Sequence, residues 1–73
     1  MMSRNKATEE VQRLFGGKAR TVRGKRGGYL VGMMEPAGPD DCDLRSEYFK
    51  VYGSDGDSWE NAIAQMVKEM SKP

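Results

Sequence analysis

Five of the nine residues from Lys18 to Arg26 are basic: Lys18, Arg20, Arg23, Lys25 and Arg26. None of the nine is acidic, and Gly27 and Gly28 follow at once. Positive charge held at a surface binds phosphate without any sequence code. The same charge steers an acidic protein surface into contact. Tyr29, directly after the glycines, brings a ring that stacks on a base or anchors a protein interface. Tyr48 and Tyr52 offer two more rings further along the chain. The blander role for the basic run is a solvated edge strand that its charges keep from aggregating.

Other chemistries find less to stand on. The chain has no histidine, the side chain best suited to proton transfer near neutral pH, and the usual zinc spacings are absent with it. One cysteine, Cys42, allows no intrachain disulfide. Gly24-Lys25 does not complete a phosphate-binding P-loop. Arg26 stands where a Ser or Thr must hold magnesium, and Ala19 stands where the first glycine belongs. Asp40, Asp41 and Asp43 lack the alternation, central glycine and closing glutamate of a calcium loop. They read as a solvated loop, or as an acidic stretch that imitates nucleic acid to a basic partner. The expectation is a protein that is not an enzyme, with no cofactor and no metal.

The charge is polarised along the chain. Residues 4–26 carry eight basic and two acidic side chains, a net of +6, and residues 35–60 carry eight acidic and two basic, a net of −6. The whole chain sums to only +1. Whether that polarity survives in space depends on the fold.

The elements that must position these groups follow from periodicity. Ala7, Val11, Leu14 and Phe15 fall on one face of a helix over 4–15, with Ser3 or Asn5 to cap it and Gly16-Gly17 to end it. Residues 18–23 favour a strand through Thr21 and Val22, and 29–34 a better one. There Tyr29, Val31 and Met33 share one face, and Leu30, Gly32 and Met34 the other. The basic GKRGG between the two strands suits a hairpin tip. Residues 36–46, with two prolines, a glycine and three aspartates, read as a loop. Residues 47–52 predict a third strand, and GSDGD a turn. Phe49 and Val51 share a side with Glu47; Tyr48, Lys50 and Tyr52 share the other. If helices cover the Phe49 side, both tyrosines and Lys50 stand exposed; the alternative is cross-strand packing with Leu30 or Met34.

From Trp59 the apolar residues Ala62, Ile63, Met66, Val67 and Met70 keep helical spacing, with Asp57 and Glu60 placed for a capping box. The fold class is α+β, in the order α-β-β-β-α. One domain spans residues 1–73, with an antiparallel three-stranded sheet and both helices on one face. Its expected core is Val11, Leu14, Phe15, Trp59, Ile63, Met66 and Val67. No apolar run reaches the ~18 residues of a membrane span, and the N-terminal MMSRNKATEEVQ is too polar for a signal peptide. With a lone thiol, this points to the cytoplasm.

The element order resembles the double-stranded-RNA-binding domain, whose last strand leads through a glycine-containing turn into a long amphipathic helix, as FKVYGSDGDSWENAIAQMVKEM does here. That family grips phosphates with lysines at the start of its last helix. Here the corresponding residues read DSWEN, so the resemblance implies the topology and not the RNA grip. The turn into the terminal helix, DGDSWENAI, also resembles small bacteriophage-encoded proteins that bind a host machine. That resemblance implies a regulator of a host protein in nucleic-acid machinery, RNA polymerase and transcription first. Lys18, Arg20, Arg23, Lys25 and Arg26 would then supply steering and ion pairs, and Tyr29, Tyr48 and Tyr52 the anchors. Direct nucleic-acid binding by the same hairpin is the alternative. A structural role, with a sheet edge used for self-association, is the third.

Overall fold

The helix expected over 4–15 forms over the same span. In a computed structural model that describes residues 2–36 and 47–72, α1 covers Arg4–Phe15. Ser3 caps it: its Oγ accepts from the Lys6 N–H at 3.1 Å. Gly16 closes it at φ +97°, a left-handed backbone that only glycine adopts without strain, and returns its N–H to the Gln12 carbonyl at 2.8 Å. Three strands follow, β1 (Ala19–Arg23), β2 (Tyr29–Pro36) and β3 (Glu47–Asp55), and then α2 (Trp59–Met70). The sheet is antiparallel in the order β1-β2-β3. The α+β order α-β-β-β-α is therefore the fold of this chain. The loop expected over 36–46 lies, apart from Pro36, outside the described residues.

The core is Ala7, Val11, Ala19, Val31, Trp59, Ala62, Ile63 and Met66. Met66, Val11 and Val31 are its largest fully buried side chains, each contributing about 2 kcal/mol by leaving water. Leu14 and Val67, expected inside, are exposed, as is Met70. The reason for Leu14 is the way α1 meets β1. Thr8 and Gln12 hydrogen-bond to Thr21 and Ala19, so they face the sheet. Leu14 lies at the margin of the buried face farthest from them, about 20° past Ala7 and two turns nearer the helix end. Val67 sits at the margin of the buried face of α2, about 40° beyond Ile63 and about 100° from Met66.

The sheet presents the other side of β3 to the helices from the one on which Phe49 would join the core. Val31 pairs with Gly53, and Gly32 with Val51, so Tyr52 has no residue opposite it on β2. That β-bulge turns Tyr52 and Gly53 to the same side. A Cβ at Gly53 would stand 2.2 Å from the Ala62 carbonyl oxygen. Only glycine lets α2 lie that close to the strand. The helix side thus carries Tyr29, Val31, Met33, Tyr52 and Gly53. Val22, Leu30, Met34, Phe49 and Val51 lie on the side without helices.

The third strand runs on through Gly53, Ser54 and Asp55, where the sequence suggests a turn. The helix cap is also one residue later than Asp57. Ser58 is the N-cap, its Oγ accepting from the Asn61 N–H at 3.1 Å.

Candidate functional site

The β1–β2 connection is a short glycine-framed hairpin. Gly24 donates to the Gly28 carbonyl at 2.8 Å, and Gly27 donates to the Gly24 carbonyl at 3.0 Å. Gly27 has φ +89°. This is the three-residue hairpin loop whose last position needs a left-handed residue. It leaves Lys25 and Arg26 exposed at the turn's centre.

The eight residues singled out from the sequence do not form one site. Arg23, Lys25, Arg26 and Tyr29 gather at the hairpin end. Arg23 lies over the Tyr29 ring, its guanidinium carbon 4.1 Å from the centroid. The same ring meets Trp59 edge-on, with centroids 4.9 Å apart. Tyr29 is therefore partly built into the core. Arg20 sits mid-strand and folds back to donate to the Ala19 carbonyl at 2.9 Å and to the Gly17 carbonyl. Lys18 is at the far end, ion-paired with Glu47 at 2.6 Å.

Tyr48 and Tyr52 converge at that far end on a carboxylate the sequence reading passed over, Glu35. Tyr48 donates to Glu35 Oε1 at 3.4 Å, and Tyr52 donates to Oε2. The Lys50 ammonium lies 5.2 Å from the Tyr52 ring centroid. The hydrogen bond to Glu35, then burial and the carboxylate's charge, push the Tyr52 hydroxyl above its ordinary pKa. Lys50 is likewise raised, first by Tyr52 and then by Glu35.

Arg4 was also missed as a site residue. From the first turn of α1 it donates to the Thr21 carbonyl at 3.0 Å. The run of positive charge from Arg4 to Arg26 was the available signal, but only tertiary packing brings Arg4 to β1.

The basic pole of the sequence survives in space, and the acidic pole does so in part. Helix α1 packs on β1, and α2 packs chiefly on β3, with β2 between them. One flank therefore carries Arg4, Lys6, Arg13, Lys18, Arg20, Arg23, Lys25 and Arg26 against Glu9 and Glu10. The other carries Glu47, Asp55, Asp57, Glu60 and Glu69 against Lys50, Lys68 and Lys72, the last ion-paired with Glu69 at 3.1 Å. Two of the basic side chains are neutralised locally, Lys18 by Glu47 and Arg13 by Glu10.

Among the described residues no helix is long and apolar enough to cross a membrane. Comparison with protein families, with curated proteins and with solved structures finds no match to this chain.

Proposed function

We propose that this chain is a small, non-catalytic regulatory protein of the cytoplasm. It docks its basic flank onto an acidic surface of a protein in a host's nucleic-acid machinery. The observation that carries this reading is the separation of charge between the α1–β1 flank and the β3–α2 flank. A surface of one sign attracts its opposite from a distance and orients the encounter. Lys25 and Arg26, at the tip of a glycine-framed turn, are the least encumbered of these charges.

A second observation favours a protein partner over a nucleic acid. The ring best placed to stack on a base, Tyr29, already holds Arg23 on its face and Trp59 at its edge. What the tip offers is point charge, not a stacking platform. The choice of machine, RNA polymerase first, rests on the likeness to small phage regulators alone.

The test is capture of partners by the tagged protein from source-cell lysate, with and without nuclease, followed by mass spectrometry. A stoichiometric protein that survives nuclease, and is lost with Lys25→Glu/Arg26→Glu, is the expected result. If everything captured disappears with nuclease, the chain is a nucleic-acid-binding module instead. Its log affinity for generic duplex should then fall linearly with log salt. Capture indifferent to the charge reversal overturns the role given to the hairpin tip.

A further inference from the structure

The two edges of the sheet are finished differently. The Gly24–Gly28 and Lys18–Met34 backbone bonds set the phase of the β1–β2 ladder. Antiparallel strands alternate between pairs that bond to each other and pairs whose N–H and C=O groups point away. Ala19, Thr21 and Arg23 therefore direct their backbone groups outward from β1. Three of those six groups, all on Ala19 and Thr21, are covered. Gln12 Nε2 donates to the Ala19 carbonyl at 3.2 Å, and Arg4 to the Thr21 carbonyl at 3.0 Å. The Ala19 N–H is held by the Gly16 carbonyl at 3.1 Å. Side chains of α1 thus close the β1 edge to another strand.

The same alternation, carried across β2, turns Tyr48, Lys50, Gly53 and Asp55 toward β2 through their pairs with Glu35, Met33, Val31 and Tyr29. Glu47, Phe49 and Val51 then direct their N–H and C=O groups away from the sheet. Among the described residues nothing hydrogen-bonds to these outward groups. Two of the chain's exposed large hydrophobic residues, Tyr48 at 48% and Val51 at 45%, stand along this edge.

We propose that β3 is an interface strand, pairing antiparallel with β3 of a second copy of this chain about a two-fold axis at Phe49. This register follows from the outward groups. Phe49 meets Phe49 of the other copy, and Glu47 of each copy meets Val51 of the other, each pair exchanging both backbone bonds. The bulge at Tyr52 ends the pairing, because the strand bends there. The side chains agree with it. On the side without helices, Phe49 and Val51 extend the apolar strip of Leu30 and Met34 across the junction. On the helix side, Tyr48 of each copy lies opposite Lys50 of the other. That lysine arrives beside a hydroxyl already bonded to Glu35, so a cation meets a phenol and a carboxylate. A registry centred on Lys50 would instead oppose two ammonium groups.

The result is a continuous six-stranded sheet with β1 at both outer ends, where α1 caps it. The basic flanks lie outermost, with their β1 strands about 24 Å apart. The interface meets the basic flank only at the Glu47–Lys18 ion pair, far from the hairpin tip, so dimerisation and capture through Lys25 and Arg26 are separable.

The experiment combines sedimentation equilibrium with cross-linking. The native chain should show twice the chain mass, dissociating on dilution. Phe49→Lys sets two ammonium groups on the axis and should give the monomer mass. Phe49→Pro removes the outward N–H while leaving the β2 ladder bonds untouched, and should do the same. Circular dichroism checks that each variant is folded, and either variant suffices if the other is not. In a Cys42→Ser background, Phe49→Cys should form an interchain disulfide under mild oxidation, since Cα atoms of such a pair lie about 5.5 Å apart. Gln65→Cys, on the exposed side of α2, should not. A native chain that stays monomeric up to millimolar concentration overturns the proposal. So does a dimer that persists in folded Phe49→Lys, or a Phe49→Cys variant that fails to cross-link.

Discussion

Arg23 covers one face of Tyr29 at 4.1 Å, and so ties the hairpin to the core through the edge of Trp59. A residue from the basic run is thereby part of the packing. Removing the Tyr29 ring should cost more than removing the charge above it. Tyr29→Ala is expected to lower stability by about 2 kcal/mol, less than the full loss of a buried aromatic because Tyr29 is only half-buried. Arg23→Ala should cost about 0.5–1 kcal/mol, the worth of an exposed cation on a ring. Urea unfolding of the two variants measures both. Equal losses would mean that the guanidinium, not the ring, holds the hairpin in place.

Gly53 and Gly56 stand three residues apart and should behave in opposite ways. A Cβ at Gly53 would lie 2.2 Å from the Ala62 oxygen and 2.7 Å from the Met66 nitrogen, both backbone atoms of α2. Neither can move without shifting the helix off the strand. A Cβ at Gly56 meets nothing within 4 Å, and its backbone is not left-handed. Gly53→Ala should destabilise by about 3 kcal/mol or abolish folding, whereas Gly56→Ala should stay within about 0.5 kcal/mol of the native chain. Thermal melts of both decide it. A Gly53→Ala protein as stable as the native chain would contradict the close packing of α2 on β3.

That contact also explains where the sequence was readable. The elements were legible because each is written locally: a 3.6-residue apolar period in α1 and α2, a glycine stop at Gly16, and GKRGG between two β-rich segments. The covered side of the sheet was not. Tyr29, Val31 and Met33 separate cleanly from Leu30, Gly32 and Met34 by alternation, but both sets are apolar enough to face helices. What decides is Gly53, which admits α2, and the bulge at Tyr52. A bulge inserts one residue whose effect appears only when the two strands are paired.

The candidate site was legible as charge and not as geometry. The sequence gathers Lys18, Arg20, Arg23, Lys25 and Arg26 into nine residues. An extended strand then spreads them from one end of the sheet to the other. Arg4, distant in sequence, reaches the same edge through the packing of α1. Glu35 became visible only when β2 and β3 came into register and set it opposite Tyr48.

The entry into α2 offers a pH-dependent test. Asp55 Oδ2 accepts from the N–H of Asp57 at 2.7 Å and of Ser58 at 3.0 Å. These bonds, the Asp57 N–H first, hold the Asp55 carboxyl below its ordinary pKa. The folded protein therefore takes up this proton less readily than the unfolded chain. The stabilisation is complete above the ordinary carboxylate pKa of about 3.9 and disappears as pH falls through the lower, folded value. Asp55→Asn keeps an oxygen for the two N–H groups but has nothing to titrate. Its urea midpoint should fall less steeply than that of the native chain as pH drops below about 4. Ser58→Ala should instead cost about 1 kcal/mol at every pH, because a hydroxyl cap does not titrate in this range. Asp57→Ala, despite its place before the helix, should change stability by less than about 0.5 kcal/mol. If Asp57→Ala proved the costly substitution and Asp55→Asn kept the native pH slope, the cap would lie on Asp57 after all.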